Sequence, residues 1–251
     1  MKNPANASSP KQKHRIDSDQ NESYKGIPIY TARGTHGEVF RHILAHNAAG
    51  GQALELGAGG GAFSQRLVDG GFDVTSSDLS REGFQAGNEF VAMDLNQPFA
   101  DILMPRQFDL IVAVEVIEHL ESFSNFAREV KKLLRPNGSV WLTFPNIYLF
   151  SVLPDLLRQG ELVHWSRHQF YDTGHQQIVT DWLVELLCEK NSLKVVQKYF
   201  VNPVDFRQVY PGVLKRTLAL LSLQLQTVAS RFRTKQMCLS VSVLLQIRHA
   251  H

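Results

Sequence analysis

Ala53-Leu-Glu-Leu-Gly-Ala-Gly-Gly-Gly61 is a short apolar run that passes directly into a glycine-dense turn. The run has the length and composition of a buried strand, and the turn has the glycines a chain needs where its backbone must adopt positive φ or approach a ligand closely. Seventeen residues beyond the turn, Asp78 closes a second strand-like run, Phe72-Asp-Val-Thr-Ser-Ser77. A strand, a glycine loop, a helix and a second strand ending in a carboxylate make a nucleotide-binding unit. Helix N–H groups and bare backbone face the ligand, and the carboxylate accepts from ribose hydroxyls.

Outward from this unit the pattern alternates. Gln52–Leu56, Asp73–Ser77, Glu89–Met93, Phe108–Val114 and Ser139–Phe144 read as strands, with Ala62–Asp69 and Phe123–Leu134 among the helices between them. Thr35-His-Gly-Glu38 has the spacing of a capping box, so a helix is expected to begin there. Arg135-Pro-Asn-Gly138 is expected to turn the chain into the fifth strand. Ile178–Lys190 reads as a helix, and Leu193–Val201 and Leu239–Ile247 as the last two strands. Alternation of this kind predicts an α/β fold, a doubly wound and mostly parallel sheet covered by helices on both faces.

The 251 residues, 43% hydrophobic and 20% charged, fit one domain over residues 26–251, preceded by a polar tail at 1–25 expected to be disordered. No apolar run reaches the ~20 residues that span a bilayer, and the polar N-terminus has no signal-peptide core, so a cytoplasmic location is expected. Cys188 and Cys238 read as reduced core residues. An insertion at about 202–236 carries Leu214, Leu218, Leu221, Leu225, Val228 and Phe232 at amphipathic-helix spacing. From Val201 onward seven basic residues face one acid, Asp205, although the net charge is only +2. That basic region suits an anionic partner such as a membrane surface, reached by peripheral contact, or a phosphorylated substrate; a solvated basic face explains it equally well.

Gly57-Ala-Gly-Gly-Gly-Ala62 also satisfies the dinucleotide fingerprint, which admits a nicotinamide enzyme. Five motifs in order argue otherwise. Glu55 stands two residues ahead of Gly57, Gly59 and Gly61; Asp78 and Asp94 follow the second and third strands. Phe108–Leu120 forms a fourth motif, and Leu134–Phe144 follows it. Over roughly Gly34 to His249 the chain resembles the class I S-adenosylmethionine-dependent methyltransferases. The resemblance implies a Rossmann-like, seven-stranded, mostly parallel sheet and S-adenosyl-L-methionine as cofactor. It assigns cofactor contacts to Glu55, Gly57, Ala58, Gly59, Gly61, Asp78, Leu79, Asp94, Leu95 and Glu115, with Asp78 on the ribose and Asp94 on the adenine amino group.

Glu115-Val-Ile-Glu118-His119 looks like a pattern shared by ubiquinone-biosynthesis O-methyltransferases and small-RNA 2′-O-methyltransferases. There it can hold a divalent metal, and His175 resembles the later histidine ligand of the RNA enzymes. The metal candidates are therefore Glu115, Glu118, His119 and His175. The catalytic candidates are His119 as a general base, Glu118 and His175; the alternative is that Glu118 and His119 only order their loop. His164 and His168 read as pocket-wall or surface residues. Phe144-Pro-Asn146 resembles bacterial proteins of methionine-biosynthesis and surface-polysaccharide type, but their His-Phe-Phe-Thr run is His175-Gln-Gln-Ile-Val-Thr180 here. Ile147–Gly160 and the insertion are expected to build the acceptor pocket. The expected activity is O-methylation of a small-molecule, lipid-linked or glycan acceptor. The alternatives are a non-catalytic partner with the same fold and a metal-dependent RNA 2′-O-methyltransferase, although no aromatic-plus-basic motif for nucleic acid is present beyond the C-terminal charge.

Overall fold

The computed structural model describes residues 22–149, 152, 156–157, 160–162, 164–203, 217, 220–221, 224 and 240–250. Residues 1–21 of the expected tail, most of the 202–236 insertion, its leucine stripe apart from Leu221, Cys238 and six of the seven C-terminal basic residues lie outside the described residues.

Order begins before the expected tail ends. Strands β1 (Ser23–Tyr24) and β2 (Ile27–Pro28) form an antiparallel hairpin. Its two-residue turn, Lys25 at φ 51° and Gly26 at φ 83°, has both central residues at positive φ, the backbone that matches strand twist. The hairpin is pinned to α2 (Ala62–Asp69) through Asp69, which accepts from Tyr24 Oη and Lys25 Nζ, both at 2.7 Å.

Helix α1 (Thr35–His46) begins where the capping box placed it, but the box does not form. The N-cap is Gly34 at φ 88°, with no side-chain cap. Thr35 Oγ1 and Glu38 Oε2 instead accept from the side chain and backbone of Asn202, at 2.9 and 2.7 Å. A long-range tie to the C-terminal end of the strand Leu193–Pro203 has captured both capping groups.

Strands β3 (Gln52–Leu56), β4 (Asp73–Asp78), β5 (Glu89–Ala92), β6 (Phe108–Val114), β7 (Leu134–Pro145), β8 (Leu193–Pro203) and β9 (Ser240–His249) form one sheet in the order β5-β4-β3-β6-β7-β9-β8. The first five pair in parallel and β9 runs antiparallel to both neighbours, so the mostly parallel seven-stranded sheet is as expected. Residues 135–138 do not precede β7; they bulge between the pairs Phe108↔Leu134 and Leu110↔Ser139. Short α3 (Ala100–Leu103), α4 (Phe123–Leu133), α5 (Arg167–Asp172) and α6 (Asp181–Lys190) complete the described elements. Helix α6 starts three residues later than expected, because Thr180 caps it by accepting from Leu183 N at 3.3 Å.

Alternation along the strands separates two cores. Leu54, Leu56, Ile111, Ala113 and Leu142 pack with α4 and α6, including the buried Cys188. Ala53, Val74, Leu110, Val112 and Trp141 pack with α1 and α2 on the other face. Each of the larger aliphatic side chains contributes roughly 1.5–3 kcal/mol on burial, which fixes strand register and with it the positions of the loops at the strand ends. Among the described residues no helix is long and apolar enough to cross a membrane.

Candidate active site

Strand order reverses between β3, which leads to β4 and β5, and β6, which leads to β7, β9 and β8. Loops leaving the carboxyl ends of two such strands diverge and open a crevice. A cavity of ≈ 700 Å³ lies there, floored by Glu55, the Gly57–Gly60 loop and Glu115, with Glu118, His119, His164 and His175 also in its lining.

The glycines are required by geometry. Gly57 sits at φ 73°, and a Cβ there would lie 2.5 Å from Val116 Cγ2; at Gly61, φ 89°, a Cβ would lie 2.7 Å from Phe84. Gly59, φ 51°, faces open space and presents bare backbone. Asp78 braces this loop: Oδ2 accepts from Gly59 N at 2.8 Å and Oδ1 from Leu79 N at 2.7 Å. Each carboxylate oxygen keeps a further lone pair, so Asp78 can also accept from a ligand's hydroxyls. It lines an adjoining hollow of ≈ 300 Å³ with Leu79 and Gly83, and Tyr30, Gly59 and Gly60 border both spaces. Asp94 follows β5, where Oδ1 accepts from Asn96 N at 2.9 Å; neither it nor the buried Leu95 lines either space.

Three carboxyls beneath the cavity are desolvated. Burial pushes Glu55 up to about 8 against the opposing hydrogen bond from Ser64, whose hydroxyl donates to it. Ser76 Oγ donates to Ser64 Oγ, and Asn88 to Ser76, both at 2.7 Å, extending a buried polar chain. Burial raises Glu115 to about 7 and raises Glu118, whose two oxygens have no hydrogen-bond partner, well above the carboxylate range; the nearby Glu115 adds to the latter. Glu55, Glu115 and Glu118 are thus proton-holding groups that a bound cation would drive toward ionisation.

Glu55 makes this measurable. An unfolded Glu55 titrates near 4.5 and the folded one near 8, so between these values the native chain binds the extra proton and stability falls as pH rises, by at most ~1.4 kcal/mol per pH unit. Glu55→Gln removes that dependence. Its thermal midpoint relative to the parent is expected to climb steadily from pH 5 to pH 8, and parallel profiles would show that the native carboxyl is ionised.

Opposite the glycine loop, the imidazoles of His119 and His175 meet edge to face with centroids 4.8 Å apart. His119 Nε2 lies 3.9 Å from Glu118 Oε1. His175 Nδ1 is 2.6 Å from the His164 carbonyl, which can only accept, so Nδ1 carries the proton and the neutral ring's lone pair is on Nε2. Burial lowers both rings, for His119 with help from His175, and they are neutral near pH 7. His168 is exposed and paired with Asp172 one turn along α5. Sequence reasoning missed Tyr30, Thr31 and Ala32, which follow the hairpin, and His36, which is buried against Phe63 with burial lowering it to about 4. It also missed Gln176 and Gln177, which bind the turn bearing Glu118 and His119. The Lys-Gly turn between Tyr24 and Ile27 was the available signal for the hairpin; the glutamines had none.

Comparison with known proteins agrees with this geometry. Residues 33–198 match the family described as methyltransferase domain. The chain is 31% identical over 147 residues to the ubiquinone biosynthesis O-methyltransferase of Pseudomonas aeruginosa (strain UCBPP-PA14), covering 47% of this chain and 63% of that protein. Against the enzyme of the same name from Pseudomonas fluorescens (strain Pf0-1) the figures are 28% over 149 residues, 48% and 64%. The chain thus spans under two thirds of the length of these curated relatives. Among solved structures, a SAM-dependent methyltransferase from Archaeoglobus fulgidus superposes with a TM-score of 0.61 at 12% identity, over 84% of this chain and 91% of that one. Magnesium protoporphyrin IX methyltransferase from Synechocystis PCC 6803, with bound SAH, gives 0.54 at 18% over 86% and 82%. At these identities the likeness is one of fold.

Proposed function

The chain belongs to the methyltransferase-domain family, and from that premise we propose that it moves a methyl group from S-adenosylmethionine to a hydroxyl oxygen of a small-molecule, lipid-linked or glycan acceptor. The observation that carries this reading is the bare Gly59 backbone braced by Asp78 at the strand-order reversal, facing a neutral histidine pair across the cavity. When bound, S-adenosylmethionine supplies an electrophilic methyl on a sulfonium that departs as a neutral thioether.

The protein's part is placement and proton removal. The Gly57–Gly61 loop would receive the amino-acid end and ribose, and Asp78 would accept from the ribose hydroxyls. Glu55, Glu115 and Glu118 would ionise toward the cation. His119, neutral near pH 7, would take the acceptor hydroxyl's proton, with His175 beside it. Five histidines and no lysine or arginine stand among the described lining residues. That wall suits an uncharged hydroxyl better than a phosphate or carboxylate.

Incubation with methyl-labelled S-adenosylmethionine and fractionated small-molecule, lipid, glycan and RNA extracts tests the reading. Label is expected as a methyl ether in one of the first three fractions. Label confined to RNA would support the 2′-oxygen alternative. No label, with S-adenosylhomocysteine still bound, would support the non-catalytic partner.

One observation favours a second feature. Ligand atoms of Glu118, His119 and His175 lie within 4.8 Å of one another, and the Glu118 oxygens are buried without a partner, a donor set that suits a divalent cation. Such an ion would hold the acceptor oxygen and lower its pKa. If it binds, Mg²⁺, Mn²⁺ or Zn²⁺ will raise the thermal midpoint of chelator-treated protein, and Glu118→Gln will remove the rise; no shift with any of the three would exclude the site. Asp94 as an adenine contact and membrane contact through the basic C-terminal region stay as proposals, the first read out by Asp94→Ala on cofactor affinity and the second by vesicle co-sedimentation.

A further inference from the structure

The turn that carries the proposed base is too short to hold itself. Ile117–His119 is a single 3-10 turn whose C-cap, Leu120, donates its backbone N–H to the Ile117 carbonyl at 3.3 Å; beyond that bond the turn's carbonyls look outward for donors. All three are taken up from a segment nearly sixty residues away. Gln176 N and Gln177 N both donate to the Glu118 carbonyl, at 2.8 and 3.2 Å. Gln177 Nε2 donates to the Ile117 carbonyl at 2.8 Å, and Gln176 Nε2 to the His119 carbonyl at 3.0 Å. Two adjacent glutamines thus cap three successive carbonyls with two backbone and two amide donors.

The same segment is fixed on its far side. Trp165 Nε1 donates to the Gln177 carbonyl at 2.7 Å, and His175 Nδ1 donates to the His164 carbonyl at 2.6 Å. Gly174, at φ 80°, adds the close approach: even a Cβ there would lie 3.5 Å from His119 Nδ1. The chain from His164 to Gln177 and the turn bearing Glu118 and His119 are therefore one hydrogen-bonded body, with the two imidazoles at its seam.

We infer that Gln176 and Gln177 are positioning residues which cap the Ile117–His119 turn in trans and hold His119 against His175 at the acceptor side of the cavity. This rests on the reading above that His119 and His175 face the acceptor. Neither glutamine needs to touch substrate. The side chains have the reach and the donors that an aromatic pair at the same positions lacks, so polar caps add to the packing that Ile117, buried in the core with Val116 and Leu120, already gives the turn.

The test separates this arrangement from the function. Protein labelled with ¹³C-histidine is expected to show nuclear Overhauser contacts between the His119 and His175 rings at pH 7.5. Gln177→Met and Gln176→Met each remove one amide donor, keep side-chain length and leave the backbone bonds possible; Gln176→Ala/Gln177→Ala removes both amides. In the double variant the inter-ring contact is expected to vanish, S-adenosylhomocysteine affinity to stay within about twofold, and methyl transfer to the labelled fraction to fall at least tenfold, with the KM for S-adenosylmethionine unchanged. If the double variant fails to fold, each single methionine variant is expected to weaken the ring contact and slow transfer severalfold. Ring contacts and turnover at parental levels would overturn the inference, as would a loss of cofactor affinity equal to the loss of turnover. A parent that binds no S-adenosylhomocysteine would defeat the proposed function while the ring contact still decided the positioning role.

Discussion

Gly57→Ala is expected to weaken S-adenosylhomocysteine binding by roughly a hundredfold. Two costs coincide. An L-residue held at the φ of 73° is strained by about 1–2 kcal/mol, and its Cβ would stand 2.5 Å from Val116 Cγ2, where overpacking costs about 1–3 kcal/mol. The free loop relaxes by leaving the cradle geometry, and binding must impose the strain again. Since ~1.4 kcal/mol is a factor of ten, the combined cost amounts to about two decades. Gly57→Ala/Val116→Ala relieves the steric part alone and should recover about one of them. Titration calorimetry on the three variants measures this directly. Parental affinity in Gly57→Ala would mean that the loop does not contact the ligand.

His119→Ala is expected to lower turnover by about 10²–10⁴-fold, the usual contribution of a positioned base, with cofactor affinity unchanged. Burial and the neighbouring His175 hold the imidazole below its ordinary value, so the free base persists to lower pH than an exposed histidine would allow. The acid limb of the parent's kcat profile should therefore lie below pH 6.5, the rate falling as pH drops through the lowered value and staying level above it. In the variant that limb should be gone. Equal turnover in parent and variant would leave Glu118 and His119 with the ordering role that the sequence also permitted.

The sheet was legible because parallel strands buried on both faces read as apolar runs, and because positions 57, 59 and 61 sit at positive φ, which glycine adopts at least cost. Asp78 was legible by its place after β4, though not its second task of bracing Gly59. What sequence did not disclose is non-local. The Thr35 and Glu38 side chains are diverted to Asn202, and a local capping pattern carries no sign of a competitor more than 160 residues away. His175-Gln-Gln177 looked like a departure from a family pattern; its donors find the Ile117–His119 carbonyls only once β6 and the segment before α6 are packed together. Glu55 and Glu118 were visible as acids, but burial set their protonation.

The most direct measurement is calorimetric titration of the purified chain with S-adenosylhomocysteine and, separately, with NAD⁺. One-to-one binding of the thioether, weakened about tenfold to a hundredfold in Asp78→Ala by loss of a charged hydrogen-bond acceptor, is the expected result. Heat of binding with NAD⁺ and none with S-adenosylhomocysteine would contradict it.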